Sequence, residues 1–277
     1  MYYIDSIVYI IMVNHLNDFN MKQFKDKKIL ITGASKGIGR ACAIRFAKDG
    51  ATIIINYNSS KEDAEETLKQ VIAAGGKGNI VKADMGKVEE VQQLWKSSIE
   101  DGLMPASLIL NAAFQKKALV DDTDIELIRQ TLEVNIIGNF ALAKLFIDKC
   151  REISWQGSIV VHSSNQSEFV NPTGFAYGIS KAALNHMVKH MARSTAKDNI
   201  RINAVLLGWF NTEGERKFHS AEKIEKDAFN TIPLRRIGKP EEAADISYFL
   251  ASDASSYMTG SLVRLDGGFA LDPDLTT

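Results

Sequence analysis

The chain has 277 residues, 45% of them hydrophobic and 24% charged, which is enough apolar material to bury a full core and points to one large α/β domain rather than two. Its formal net charge is −1, so nothing steers it toward nucleic acid or an anionic membrane surface. The two cysteines, Cys42 and Cys150, both lie in helical patterns and predict buried thiols in a reducing, cytoplasmic setting rather than a bridge.

His186 and His190 are four apart on one helix, but no third ligand accompanies them, so no metal is expected. At the N-terminus, Ile7 to Val13 is apolar but too short to span a bilayer, and it follows Asp5 instead of a basic leader. Residues 1–24 are therefore expected to form a poorly ordered or loosely docked extension, with Met21 as an alternative start. An interfacial membrane anchor built from residues 1–20 is the lesser reading.

The packed domain is expected over residues 25–277. Lys28 to Ile31 reads as a strand that runs into Thr32-Gly33-Ala34-Ser35-Lys36-Gly37-Ile38-Gly39, and Arg40 to Lys48 as the helix that follows. Glycines in such a turn let the chain double back, let a phosphate approach the backbone and let helix pack closely on strand. The helix N-terminus then offers free N–H groups and a positive dipole end to a pyrophosphate.

Thr52 to Asn56 is the second strand, followed by Asn58-Ser59-Ser60 and a charged helix from Lys61 to Ala74. βαβ units that select NAD usually place a carboxylate at the end of that strand to hold the ribose 2′-hydroxyl, and none stands here before Glu62. Lys36 adds a positive charge suited to a 2′-phosphate. These features favour NADP(H) over NAD(H).

Asn79 to Ala83 is the third strand, ending at Asp84; Lys87 to Glu100 is a helix, and Leu108 to Leu110 is the fourth strand, ending in Asn111-Ala112-Ala113. A long helix is expected from Ile125 to Lys149, with Asn135 and Gly138 interrupting its apolar face. The fifth strand is Ser158 to His162, the helix after it starts at Thr173, and Arg201 to Leu206 is the sixth strand. Gly208 to Thr231 is a long connection with a short helical piece of its own, a length usual for a functional lid over about 208–231. A capped helix from Pro240 to Leu250 and a seventh strand, Leu262 to Leu265, complete a strand and helix alternation typical of a doubly wound parallel sheet.

Tyr177 and Lys181 are four apart and so share one helix face. Using a phenol as an acid or base near neutrality asks for roughly 4 kcal/mol of stabilisation of the phenolate, and a neighbouring ammonium acts with the right sign. Ser164, at the end of the preceding strand, is placed to polarise a carbonyl oxygen.

Taken together, these pieces resemble the short-chain dehydrogenases/reductases from Lys28 to Phe269. The T-G-x-x-x-G-x-G of that family stands as Thr32 to Gly39, its N-N-A-G as Leu110 to Ala113, and its Y-x-x-x-K as Tyr177 to Lys181, with Ser164 thirteen residues before Tyr177. The segment from Pro240 to Gly268 also looks like the family's C-terminal part. The resemblance implies a seven-stranded parallel sheet with helices on both faces in a single Rossmann-type domain, assembled as a homotetramer through the two long helices.

It also implies an NAD(P)(H)-dependent oxidoreductase acting on a small carbonyl or secondary alcohol. Tyr177 would be the general acid/base, Lys181 its tuner and a ribose ligand, Ser164 the substrate anchor, and Asn135 the holder of a proton-relaying water. The implied cofactor cradle comprises Gly33, Ser35, Lys36, Gly37, Ile38, Gly39, Asn56, Ser59, Asp84, Met85, Asn111, Ala112, Gly208, Phe210 and Thr212, together with Tyr177 and Lys181. Two departures stand out: Leu207-Gly208 replaces the family's P-G, and Leu110 and Ala113 replace an Asn and a Gly.

Substrate contacts are expected from Gln166, Glu168, Phe169, Phe175, Trp209, Phe210 and the lid from Glu213 to Thr231. Loop and tail look somewhat like the glucose dehydrogenase branch, with a 3-oxoacyl-thioester reductase as the alternative. A non-catalytic nucleotide-binding regulator would keep the glycine loop but have no use for Ser164, Tyr177 and Lys181 together.

Overall fold

The structure is a computed structural model, and it describes residues 22–213 and 221–271. The expected extension over residues 1–20, the start at Met21 and the lid residues 214–220 lie outside the described residues.

Seven parallel strands form one sheet in the order β3-β2-β1-β4-β5-β6-β7. They are β1 (Lys28–Ile31), β2 (Thr52–Tyr57), β3 (Lys77–Lys82), β4 (Pro105–Leu110), β5 (Gly157–Ser164), β6 (Ile200–Leu207) and β7 (Leu262–Leu265). The order reverses beside β1, where β2 and β3 run one way and β4 to β7 the other. In a doubly wound sheet this switch point opens a crevice at the C-terminal strand ends, which is where ligands bind.

Because strand side chains alternate, the apolar runs feed two cores. Leu30, Ile54, Leu108, Ile159, Val161 and Ile202 face one layer, against Trp95, Phe146 and Leu184. Ile29, Ile31, Ile53, Ile55, Ile109, Val160 and Val205 face the other, against Phe46 and Leu250. The first layer carries α3 (Val88–Ser98), α4 (Ile125–Leu132), α5 (Asn139–Glu152) and α6 (Phe175–Thr195). The second carries α1 (Gly37–Ala47), α2 (Lys61–Ala73) and α8 (Pro240–Ala251); α7 (Ala221–Thr231) lies in the lid.

The long helix expected from Ile125 to Lys149 is broken: a π-helical turn, Glu133–Gly138, separates α4 from α5. Close packing at its end explains the glycine, since a Cβ on Gly138 would lie 1.8 Å from the Met85 carbonyl oxygen. Any larger residue would push the helix off the segment that follows β3. Phe24, assigned to the extension on sequence, is only 2% exposed and packs edge-on against Phe46 and Tyr248 at 4.8 and 5.0 Å between ring centroids. The packed body therefore includes Phe24.

Among the described residues no helix is long and apolar enough to cross a membrane. Cys42 and Cys150 are both buried and unbridged, and burial pushes each thiol up to about 12. A cavity of about 490 Å³ opens at the N-terminal ends of the strands, beside Ser107, Ser158 and Arg201, at the opposite end from the crevice.

Phe146 has no exposed surface, meets Trp95 edge-on at 6.2 Å and lies over Gly157. Phe146→Ala is expected to cost about 3–5 kcal/mol, measured by urea unfolding.

Candidate active site

The first βα turn is fixed by hydrogen bonds from the two strands that flank β1. Asn111, just past β4, donates from Nδ2 to the carbonyls of Thr32 and Gly33, both at 2.9 Å. The Thr32 hydroxyl in turn accepts the Asn111 and Ala112 N–H groups at 2.9 and 3.0 Å. From β2, Asn56 Oδ1 accepts the Gly33 N–H at 3.1 Å while its amide donates to the Ala83 carbonyl at 3.0 Å. Asn56 is 1% exposed, so the structure places it as a brace beneath the turn. Gly39 must be glycine on packing grounds: a Cβ there would lie 2.5 Å from the Gly33 carbonyl oxygen and 2.7 Å from Asn111 Nδ2.

α1 starts from Lys36 with no side-chain cap of its own and no acid in its first turn. Its N–H groups and positive dipole end therefore suit an anion that the local sequence does not supply. Around it, the Ser35 carbonyl accepts Arg40 Nη2 at 2.7 Å and the Thr67 hydroxyl at 2.8 Å. Lys36 Nζ lies 3.8 Å from Asp63, and Arg40 lies 3.9 Å from the same carboxylate. That acid, in the first turn of α2, belongs to the site although the sequence reading stopped at Glu62.

Further along the crevice, Ser59 is exposed on the loop after β2, and Asp84 Oδ1 accepts the Gly86 N–H at 2.9 Å. Met85 is buried beside it. Ile38 is half-buried at the start of α1.

Ser164 is the last residue of β5, and its hydroxyl accepts the Gln166 N–H at 3.2 Å. Tyr177 is half-buried in the first turn of α6, and Lys181 stands one turn on, its Nζ 5.4 Å from the Tyr177 ring centroid. Lys181 is 2% exposed and donates to the His162 carbonyl at 2.8 Å; burial pushes its amine down to about 7. Asn135 is fully buried in the π-helical turn, where its side chain holds both Phe114 backbone groups, at 2.7 and 3.0 Å, and the Ser180 hydroxyl at 2.9 Å. Its carbonyl accepts Asn139 Nδ2 at 2.9 Å, a neighbour the sequence reading did not single out.

His162, two residues before Ser164, was also missed. Since the Asn111 amide faces two carbonyls, Asn111 Oδ1 is an acceptor and His162 Nδ1, 3.0 Å away, carries the proton. His162 Nε2 lies 2.8 Å from Ser247 Oγ on α8, whose hydroxyl donates to the Ala243 carbonyl at 2.7 Å. Burial, and then Lys181, push the ring down to about 3, so it stays neutral at ordinary pH.

On the substrate side, Glu168 pairs with Arg264 of β7, Phe169 stacks on Phe269 with centroids 5.1 Å apart, and Phe175 is partly exposed at the start of α6. Gly208 continues the β6–β7 ladder by donating to the Leu265 carbonyl at 2.9 Å, so Leu207 in place of proline leaves this pairing intact. Phe210 is 5% exposed, and with Trp209 and Leu234 it lines a small cavity. Thr212 rests on the glycine loop, its Cγ2 3.4 Å from where a Gly37 Cβ would be. The His186 and His190 Nε2 atoms lie 3.1 Å apart on exposed α6, and no group of three metal-ligating side chains occurs among the described residues.

A family model described as enoyl-(acyl carrier protein) reductase matches residues 33–270. Glucose 1-dehydrogenase 2 of Bacillus subtilis is 32% identical over 253 residues, covering 91% of this chain and 98% of the relative. The chain belongs to the short-chain dehydrogenases/reductases. Another relative, 3beta-hydroxysteroid dehydrogenase 1 of Eggerthella lenta, is 32% identical over 250 residues, 90% of this chain and 95% of that one. Among solved structures, a short-chain type dehydrogenase/reductase from Mycobacterium marinum superposes with a TM-score of 0.86 at 27% identity, covering 92% of this chain and 99% of that one. This short-chain dehydrogenase/reductase is thus an oxidoreductase acting on alcohol or ketone groups.

The buried His162 ring makes stability pH-dependent. Its folded pKa lies below the unfolded value, so below pH ~6.5 the unfolded state binds a proton that the folded ring refuses. Stability is expected to fall by about 2 kcal/mol more between pH 7 and pH 5 in the wild type than in His162→Asn, measured by denaturant unfolding at each pH.

Proposed function

We propose that the enzyme moves a hydride between NADP(H) and a small carbonyl or secondary-alcohol substrate, with Tyr177 as proton donor or acceptor. The observation that carries this is the pairing at the crevice: Lys181 Nζ is buried 5.4 Å from the Tyr177 ring, beside the α1 N-terminus and the glycine turn. A nicotinamide bound there supplies the hydride chemistry. Ser164 Oγ holds the substrate oxygen, Tyr177 Oη exchanges the proton with it, and Lys181, when protonated, stabilises the phenolate. Asn135 anchors the π-helical turn against Phe114 and Ser180 behind this pair, the location from which a relay to Lys181 is proposed to run. A non-catalytic nucleotide binder would need none of these three side chains.

The cofactor is proposed to lie over Gly33 to Gly39, Ser59, Asp84, Met85, Asn111 and Ala112, with Gly208, Phe210 and Thr212 closing over it. Preference for NADP(H) is supported by the cations Lys36 and Arg40 beside the turn, with Asp63 near both and Glu213 on Arg40. A sugar such as glucose is the proposed substrate, from the likeness of loop and tail to the glucose dehydrogenases. A 3-oxoacyl thioester is the second reading, favoured by the Glu168–Arg264 pair, which ties up a carboxylate that a polyol would use, and by the apolar Phe169, Phe269 and Trp209. The proposed domain runs from about residue 25 onward. A cytoplasmic homotetramer is proposed, with partly exposed Ile137 and Phe140 at the junction of the π-helical turn and α5, and Ile179 on α6, as its contact surface.

Tyr177→Phe is expected to lower kcat at least a thousandfold while the nucleotide dissociation constant stays within a factor of about three; surviving turnover would defeat the mechanism. A fluorescence titration is expected to show NADPH binding more tightly than NADH. Much tighter NADH binding would remove the basis for the cofactor choice.

A further inference from the structure

The N-terminus of α1 is already engaged by an acid of this chain. Gly37 N–H, the first helical donor, points at Glu213 Oε2 at 3.1 Å, and Arg40 Nη1 lies 3.3 Å from Glu213 Oε1. Glu213 comes from 176 residues away in sequence, at the entry to the lid, and directly follows Thr212, whose methyl packs over Gly37. A carboxylate held by a helix-terminal N–H and a guanidinium makes the contacts that a phosphate oxygen would make there. α1 has no cap of its own at Lys36 and no acid in its first turn, so Glu213 fills a role that the local sequence leaves open.

We propose that Glu213 is an internal competitor for the cofactor's phosphate site, a carboxylate that occupies the Gly37 N–H and must leave it before a dinucleotide can bind. The inference rests on the cofactor reading above. The Gly37 N–H has a single proton, so it cannot serve Glu213 and a phosphate oxygen together at full strength. The pyrophosphate therefore binds only the fraction of molecules whose Glu213 has left the Gly37 N–H, and apparent affinity is lowered by that fraction. Glu213 thereby sets cofactor affinity without touching the reacting atoms.

The test uses the full-length protein and Glu213→Gln, which keeps the size of the side chain and removes its charge, with Glu222→Gln on α7 as a charge-matched control from the same lid. Dissociation constants for NADPH, NADH and inorganic pyrophosphate are measured by titration. Glu213→Gln is expected to tighten all three by roughly tenfold, as losing one close like charge predicts, while Glu222→Gln stays within about twofold of wild type. Hydrogen exchange gives an independent reading: in the free protein the Gly37 amide should be protected in the wild type and exchange faster in Glu213→Gln.

Unchanged or weaker binding by Glu213→Gln, or equal tightening by Glu222→Gln, would overturn the proposal, and so would an equally fast Gly37 amide in wild type and variant. If the wild type bound NADPH and NADH normally in those cases, the cofactor reading would stand and only the competition would fall. If the wild type bound neither nucleotide, both would fall.

Discussion

The Asn111 side chain is the contact on which the site's geometry depends. Its amide nitrogen holds two successive carbonyls of the glycine turn, and its oxygen takes the His162 proton. Through His162 the link continues to Ser247 on α8. One side chain thus ties β1, β4, β5 and a helix of the opposite half of the sheet at the crevice. A half-buried amide with its hydrogen-bonding capacity in use is costly to disturb, because several partners lose their bonds together. The turn can therefore present its N–H groups outward without relying on its own flexible glycines for shape.

Lys181 hangs from the same framework. Its Nζ is bonded to the His162 carbonyl, so the residue whose ring braces the nucleotide turn also anchors the proposed tuner of Tyr177 from its backbone. Burial pushes this amine down to about 7, and anionic groups entering the crevice favour the ammonium, the form that the proposed chemistry asks of it.

Much of this was legible in the sequence, and the reasons are physical. The strands show as β-branched runs because both faces of a parallel sheet are buried, and β1 and β7 fall on the residues expected for them. The glycine turn and the Tyr177–Lys181 spacing were readable because their chemistry is local in sequence. What escaped was set by tertiary contact. The π-helical turn at Glu133–Gly138 reflects a close approach to Met85 that periodicity does not encode. Asn56 read as a cofactor contact from its position at a strand end, yet its hydrogen bonds turn inward to Gly33 and Ala83. Asp63 passed as one residue of a charged helix and Glu168 as a substrate contact, until the fold set them against Lys36 and Arg264.

These acids alter how the glycine loop should be weighed. A Gly-rich turn before a helix identifies an anion site but says nothing of how free that site is. In this chain two basic residues, Lys36 and Arg40, face the turn, and two carboxylates, Asp63 and Glu213, lie within 4 Å of them. Asp63 sits on α2, part of the rigid layer, so it discounts the positive field permanently and bears on which ribose is preferred. Glu213 lies on the Gly37 N–H itself, so the proposed competition for phosphate belongs to it, while Asp63 bears on the proposed choice of ribose.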